Sequence, residues 1–161
     1  MKSILVVDDD PAIRFSLRKV LSGEGYEIHL AADAEEAIEL FGTRTINLAM
    51  LDLNLPTRSG WDIFGAITSQ DPCLPIVIIT GRHDQIMLTE ATGISALMEK
   101  PLNVPLLLLT VAELLEEPPE MRLKRLIGMD SHFRYVAPVN GAARKTFASA
   151  QTFNRHSDPS I

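Results

Sequence analysis

Only one cysteine, Cys73, occurs among the 161 residues, which excludes an internal disulfide and leaves no partner thiolate for a metal site. It is read as a plain reduced cysteine ahead of a sensing thiol. Long apolar runs are also missing. None approaches the roughly 20 residues that a membrane-spanning helix needs. The opening stretch from Met1 to Val7 runs straight into Asp8-Asp9-Asp10 rather than into the cleavage site of a secretory signal. The expectation is a soluble, cytoplasmic protein with no membrane contact. Internal repeats and low-complexity stretches are absent as well, and hydrophobic residues at 46% exclude wholesale disorder. One domain of about 100 to 150 residues fits this length with an extension to spare, whereas two full domains do not.

Positive charge is scarce in most of the chain and concentrated at its end. Residues 1–117 hold 8 Lys and Arg against 18 Asp and Glu, a balance of -10, while residues 118–161 hold 7 against 3, a balance of +4. An acidic body is a poor nucleic-acid surface. The basic end suits nucleic acid, an acidic partner or the chain's own body, and the last needs no further molecule.

Short apolar runs alternate with helical patterns through residue 117, the signature of βαβ units and a parallel sheet. Strands are expected at Ser3 to Val7, Tyr26 to Ala31, Asn47 to Leu51, Ile76 to Thr80 and Ala96 to Met98. Helices are expected after Asp10 and Asp33, from Trp61 to Thr68, weakly after Gly81, and from near Val104. Asp10 is placed to cap the first of these and Pro11 suits its first turn. In such a sheet, ligands bind beyond the carboxyl ends of the strands.

That edge is where the chemistry-bearing residues gather. Asp8 and Asp9 follow the first strand, Asp52 the third, Thr80 ends the fourth, and Lys100 with Pro101 follows the fifth. Any one of them alone reads as a helix cap or a solvated side chain, but capping does not explain their joint order. Crowded carboxylates repel unless a cation joins them, and an all-oxygen set favours Mg²⁺. A carboxylate in that setting is a nucleophile for an aspartyl phosphate, with Lys100 as a second cation and the Thr80 hydroxyl as a donor that reports loading.

The pieces Val6-Val7-Asp8-Asp9, Leu51-Asp52-Leu53-Asn54-Leu55-Pro56 with Gly60, Ile79-Thr80-Gly81 and Glu99-Lys100-Pro101 give the chain a resemblance to the receiver domains of bacterial response regulators, covering residues 1 to about 117. The resemblance implies a flavodoxin-like, doubly wound α/β fold with a five-stranded parallel sheet in the order 2-1-3-4-5. It implies Asp52 as the phosphoacceptor, Mg²⁺ held by Asp9, Asp52 and the main-chain carbonyl of Asn54, and Asp8 assisting through water. Lys100 would pair with the phosphoryl group, Thr80 would be the switch hydroxyl, and a cis peptide would precede Pro101. The implied donor is a sensor histidine kinase or a histidine phosphotransfer protein. The chain would be a phosphoacceptor in a two-component relay rather than an enzyme acting on other molecules, and a homodimer is one form it can take.

Three features depart from the family. Leu97 stands where an aromatic switch residue is usual, the stretch from Thr80 to Lys100 is about two residues short, and Arg82 follows the switch hydroxyl, where it is read as solvated. Two rival functions fit these residues less well. An aspartyl-nucleophile phosphatase normally needs a second Asp two residues after the first, and that position is Asn54. A DNA-binding regulator acting through the basic end would need a reader domain, but residues 118–161 offer one short apolar pattern, Leu123, Leu126 and Ile127.

The chain therefore divides into a receiver at 1–117, an extension at 118–139 that packs on it, and a flexible tail at 140–161. The helix from Val104 carries Leu106 to Leu109, Val111, Leu114 and Leu115, more than a single core-facing stripe requires. Its cover is expected from Leu123, Leu126 and Ile127 on a short helix, from the alternating Phe133, Tyr135, Ala137 and Val139 of a strand, or from a second copy.

Overall fold

A computed structural model describes residues 1–81, 93–130, 132–139 and 145–149, the last by backbone alone. The helix expected after Gly81, with Arg82 in it, lies outside the described residues. Strand β1 (Ser3–Val7) leads to helix α1 (Pro11–Gly23), β2 (Glu27–Ala31), α2 (Ala34–Thr43), β3 (Leu48–Asp52), α3 (Gly60–Gln70) and β4 (Ile76–Thr80). Then come β5 (Ala96–Glu99), α4 (Val104–Glu116), α5 (Pro119–Leu126), β6 (His132–Val136) and β7 (Lys145–Ser149).

Among the described residues, seven strands form one sheet in the order β2-β1-β3-β4-β5-β6-β7. Its first five positions follow the expected 2-1-3-4-5 order, all parallel. Strands β1, β3 and β4 are buried along their whole length, which is why their sequences read as continuous apolar runs. The strand period of two divides them between two cores. Leu5, Val7, Ala49 and Leu51 pack with Ala34, Ala37, Ile63 and Ile67 of α2 and α3. Ile4, Val6, Leu48 and Met50 pack with Leu17 and Leu21 of α1 and Leu107, Val111 and Leu114 of α4. The helix starts are set locally: Asp10 accepts from the Ala12 amide, Asp33 from Glu36, and Asn103 from Leu106.

The extension adds to the sheet. Strand β6 lies parallel to β5, pairing Ala96 with Arg134, Leu97 with Tyr135 and Met98 with Val136. Phe133 and Val136 are buried in opposite cores. Strand β7 pairs antiparallel with β6. This departs from the mobile tail that the composition of residues 140–161 predicts, because ladder pairing with β6 orders a Thr-, Ala- and Ser-containing stretch that local propensity does not. Residues 140–144 and 150–161 lie outside the described residues.

The short helix also departs from expectation. Leu123 and Ile127 are exposed, at 39% and 59%, while Arg122 and Arg125 are buried at 1% and 4%. Arg122 Nε donates to the Leu74 carbonyl at 2.9 Å and its guanidinium lies 5.7 Å from the centre of the Phe64 ring. Arg125 forks onto the Glu117 carboxylate. Their long apolar stems fill the space that the pattern assigns to leucines, and their heads find fixed acceptors.

Candidate functional site

Three strand ends converge because parallel strands all finish at the same edge. Asp8, one residue past β1, is fully buried, and Asp52, the last residue of β3, is 3% exposed. Asp9 is exposed beside them, and carboxylate oxygens of Asp8, Asp9 and Asp52 lie within 4.8 Å of one another. Lys100 reaches in from the end of β5, with Nζ 2.7 Å from Asp52 Oδ2 and 2.8 Å from Asp8 Oδ2. The peptide joining Lys100 to Pro101 is cis, and the Lys100 amide donates to the Thr80 carbonyl at 2.9 Å. Thr80 is fully buried at the end of β4.

The two buried carboxylates are also held by backbone. Asp52 Oδ1 accepts the Asn54 amide at 2.9 Å, and Asp8 Oδ1 accepts the Asp10 amide at 2.9 Å. Both carboxylates therefore point one oxygen at main chain and the other at Lys100. Gly60 explains why the next loop comes so close: a Cβ there would stand 2.3 Å from the Asp52 carbonyl oxygen, nearer than real Cβ atoms come to backbone. Ser59 caps α3 just ahead of it in a capping box with Asp62.

Burial pushes the Asp8 carboxyl above its ordinary value, against the pull of Lys100 and the Asp10 amide, and the neighbouring Asp52 charge pushes the same way. For Lys100, burial favours the neutral amine, but its bonds to Asp52 and Asp8 prevail and hold its value above the ordinary one. Lys100 is thus a fixed cation between two carboxylates.

Of the residues read from the sequence, Asp8, Asp9, Asp52 and Lys100 stand together. Thr80 ends the strand beside β3 and β5, and Asn54 touches Asp52 through its amide. One participant escaped the sequence reading. Arg14 Nη1 donates to the Asp8 carbonyl at 2.6 Å, and its position one turn into a helix gives no local sign of that contact. The donor set fits a metal ion on its chemistry: three carboxylates, no nitrogen or sulfur ligand, and one half-buried lysine that offsets only part of their charge. Among the described residues no helix is long and apolar enough to cross a membrane.

A family described as the response regulator receiver domain matches residues 4–112. The response regulator MprA of Mycolicibacterium vanbaalenii is 40% identical over 79 residues, which is 49% of this chain and 34% of that protein. The chain spans about a third of the length of the curated relatives it matches. Among solved structures, a CheY-like receiver domain protein from Methanospirillum hungatei is 32% identical, with a TM-score of 0.68 over 75% of this chain and 98% of that one. Response regulator TrrA from Thermotoga maritima, solved in complex with Mg²⁺-BeF, is 33% identical, with a TM-score of 0.67 over 71% of this chain and 99% of that one.

Proposed function

The chain belongs to the response regulator receiver domain family, and from that membership we propose that Asp52 takes a phosphoryl group from a phosphohistidine of a sensor kinase or phosphotransfer protein. The observation that supports this most directly is Lys100 Nζ, within 2.8 Å of both Asp52 and Asp8.

In the proposed step an Asp52 carboxylate oxygen attacks phosphorus, a P–O bond forms as the P–N bond to the donor imidazole breaks, and the ring nitrogen leaves with the electron pair. The Asn54 amide and Lys100 hold the two oxygens of Asp52, so the nucleophile is oriented before the donor arrives. Lys100 then offsets charge on the transferred group. The Thr80 hydroxyl is the proposed donor to a phosphoryl oxygen. Mg²⁺ held by Asp9, Asp52 and the Asn54 carbonyl, with Asp8 through water, would supply further charge neutralisation and orientation of the phosphoryl oxygens.

This role is a signalling one carried by contacts with other proteins in the cytoplasm, without turnover of small molecules. Among the described side chains, three cations of the basic end turn toward the chain's own body, which weighs against direct DNA reading by them. Arg122 and Arg125 are buried, and Arg134 pairs with Glu113 at 3.3 Å and Glu117 at 3.2 Å.

Intact mass after incubation with acetyl phosphate tests the reading. The full chain should gain one phosphoryl group in the presence of Mg²⁺ and none after chelation, and Asp52→Asn should gain none. Equal gain by Asp52→Asn would remove Asp52 from the role.

A further inference from the structure

Besides the backbone ladder between β5 and β6, a side-chain hydrogen bond ties the acceptor edge to the strand that the extension contributes. Tyr135 stands on β6 opposite Leu97 of β5, and its hydroxyl donates to Glu99 Oε1 at 2.6 Å. Glu99 pairs in register with Thr80 and directly precedes Lys100, the residue bound to Asp52 and Asp8. A phenol from beyond residue 117 therefore grips the residue next to the site's cation. Burial and then the Glu99 carboxylate hold the Tyr135 phenol well above its ordinary value, so it is a donor throughout the neutral range. The bond is short and charge-assisted, the stronger kind. At the same register position β5 offers only Leu97, a fully buried aliphatic side chain.

We propose that Tyr135 is a positioning residue for the acceptor site: by holding Glu99 it fixes the end of β5 from which Lys100 reaches Asp52, and through it β6 senses whether Asp52 is loaded. This rests on the reading of Asp52 as phosphoacceptor. Phosphorylation replaces a carboxylate with a bulkier, more negative group, and Lys100 must shift its bonds toward it. Glu99 lies one residue back on the same short strand, so a displacement of Lys100 is felt at the Tyr135 hydroxyl. Linkage makes the effect reciprocal, because what loading does to β6, a change at Tyr135 must do to loading.

The test titrates the full chain with beryllofluoride, a phosphoryl mimic, at fixed Mg²⁺ by calorimetry, and measures amide hydrogen exchange of residues 132–136 with and without the mimic. Tyr135→Phe, which removes only the hydroxyl, should weaken the mimic at least threefold and blunt the exchange response of β6 seen in the unaltered chain. Val136→Ala is the control for simple weakening of the strand, since Val136 is buried on β6 and packs into the core beside α4. It should leave mimic affinity within twofold. Unchanged affinity in Tyr135→Phe, a β6 indifferent to loading, or an equal loss in Val136→Ala would each overturn the inference. The acceptor reading fails separately, and this inference with it, if the unaltered chain binds the mimic no better than Asp52→Asn does.

Discussion

Two places in this fold bury charge, and they do so in opposite ways. At the carboxyl edge of the sheet, Asp8, Asp52 and Lys100 satisfy one another at 2.7 to 2.8 Å, with backbone amides on the remaining carboxylate oxygens. Beside the amino end of β4, Arg122 is buried with one bond to a carbonyl, and its two terminal nitrogens have no hydrogen-bond partner among the described residues. Burial, then the charge of Arg125, lowers Arg122 to about 10. The first cluster is held together by charge, and any change in its charge should be felt chemically. The second is held by stems and packing, so its charge should be dispensable while its volume is not.

The largest expected effect comes from removing the second region altogether. A chain ending at Glu117 loses Phe133 and Val136 from the two cores, leaves Glu117 without Arg125 and Arg134, and turns β5 into an open edge. It should melt more than 10 °C lower or self-associate, as read by calorimetry and light scattering. A monomer melting where the full chain does would mean that α5 and β6 lean on the receiver without supporting it.

Next in size is Lys100→Met, which leaves two buried carboxylates facing each other. Breaking a buried pair from one side costs about 3 to 5 kcal/mol. With the Lys100 side chain 24% exposed, the lower end of that range is expected for the metal-free protein. Mg²⁺ should restore part of the loss, because it is the other cation that the carboxylates can take. Chemical denaturation with and without Mg²⁺ measures both quantities.

Arg122 should behave differently. Arg122→Ala is expected to cost about 2 kcal/mol by opening a cavity next to Phe64 and leaving the Leu74 carbonyl unpaired. Arg122→Met also leaves the Leu74 carbonyl unpaired, but it keeps most of the volume and discards the poorly paired charge, and should cost about 1 kcal/mol, clearly less than Arg122→Ala. Equal costs for the two would show that the guanidinium, not its stem, anchors α5.

The same contrast accounts for what could be read in advance. The five receiver strands and the residues at their ends were legible because continuous apolar runs mark buried parallel strands, and because Asp8, Asp9, Asp52, Thr80 and Lys100 each sit at a strand end. Strand β6 was legible from the alternation of Phe133 and Tyr135. The face of α5 was not. Helical period nominates Leu123, Leu126 and Ile127, of which only Leu126 is half-buried, and what buries Arg122 is a carbonyl at Leu74 and a ring at Phe64, 48 and 58 positions away and invisible to local pattern. Strand β7 was missed because its order derives from pairing with β6. Arg14 was missed because its acceptor is a main-chain carbonyl, which no sequence marks.

The smallest expected effect is also the one whose sign is least intuitive. Asp8 is fully buried, and burial raises its carboxyl above 3.8 in spite of Lys100 and the Asp10 amide. The native state therefore holds the Asp8 proton more tightly than the unfolded chain does. Below 3.8 both states are protonated and the cost is absent. As pH rises through the window between 3.8 and the raised native value, the native state binds more protons than the unfolded one, so stability falls, and it levels off above that window. Lys100 adds nothing to the slope there, since its raised value lies above 10.5 and its contribution is lost only as pH climbs past it. Asp8→Asn removes the titration with little change of shape. Without metal, its melting temperature should match the unaltered chain near pH 4 and exceed it by a few degrees at pH 7, about what 1 kcal/mol is worth in a protein this size. Adding Mg²⁺ should shrink or reverse that advantage, because the variant gives up a charge that the cation would use. A variant that melts below the unaltered chain at pH 7 without metal would mean that the bond from Lys100 outweighs the burial of Asp8, and that the carboxyl edge of the sheet is self-sufficient before any cation arrives.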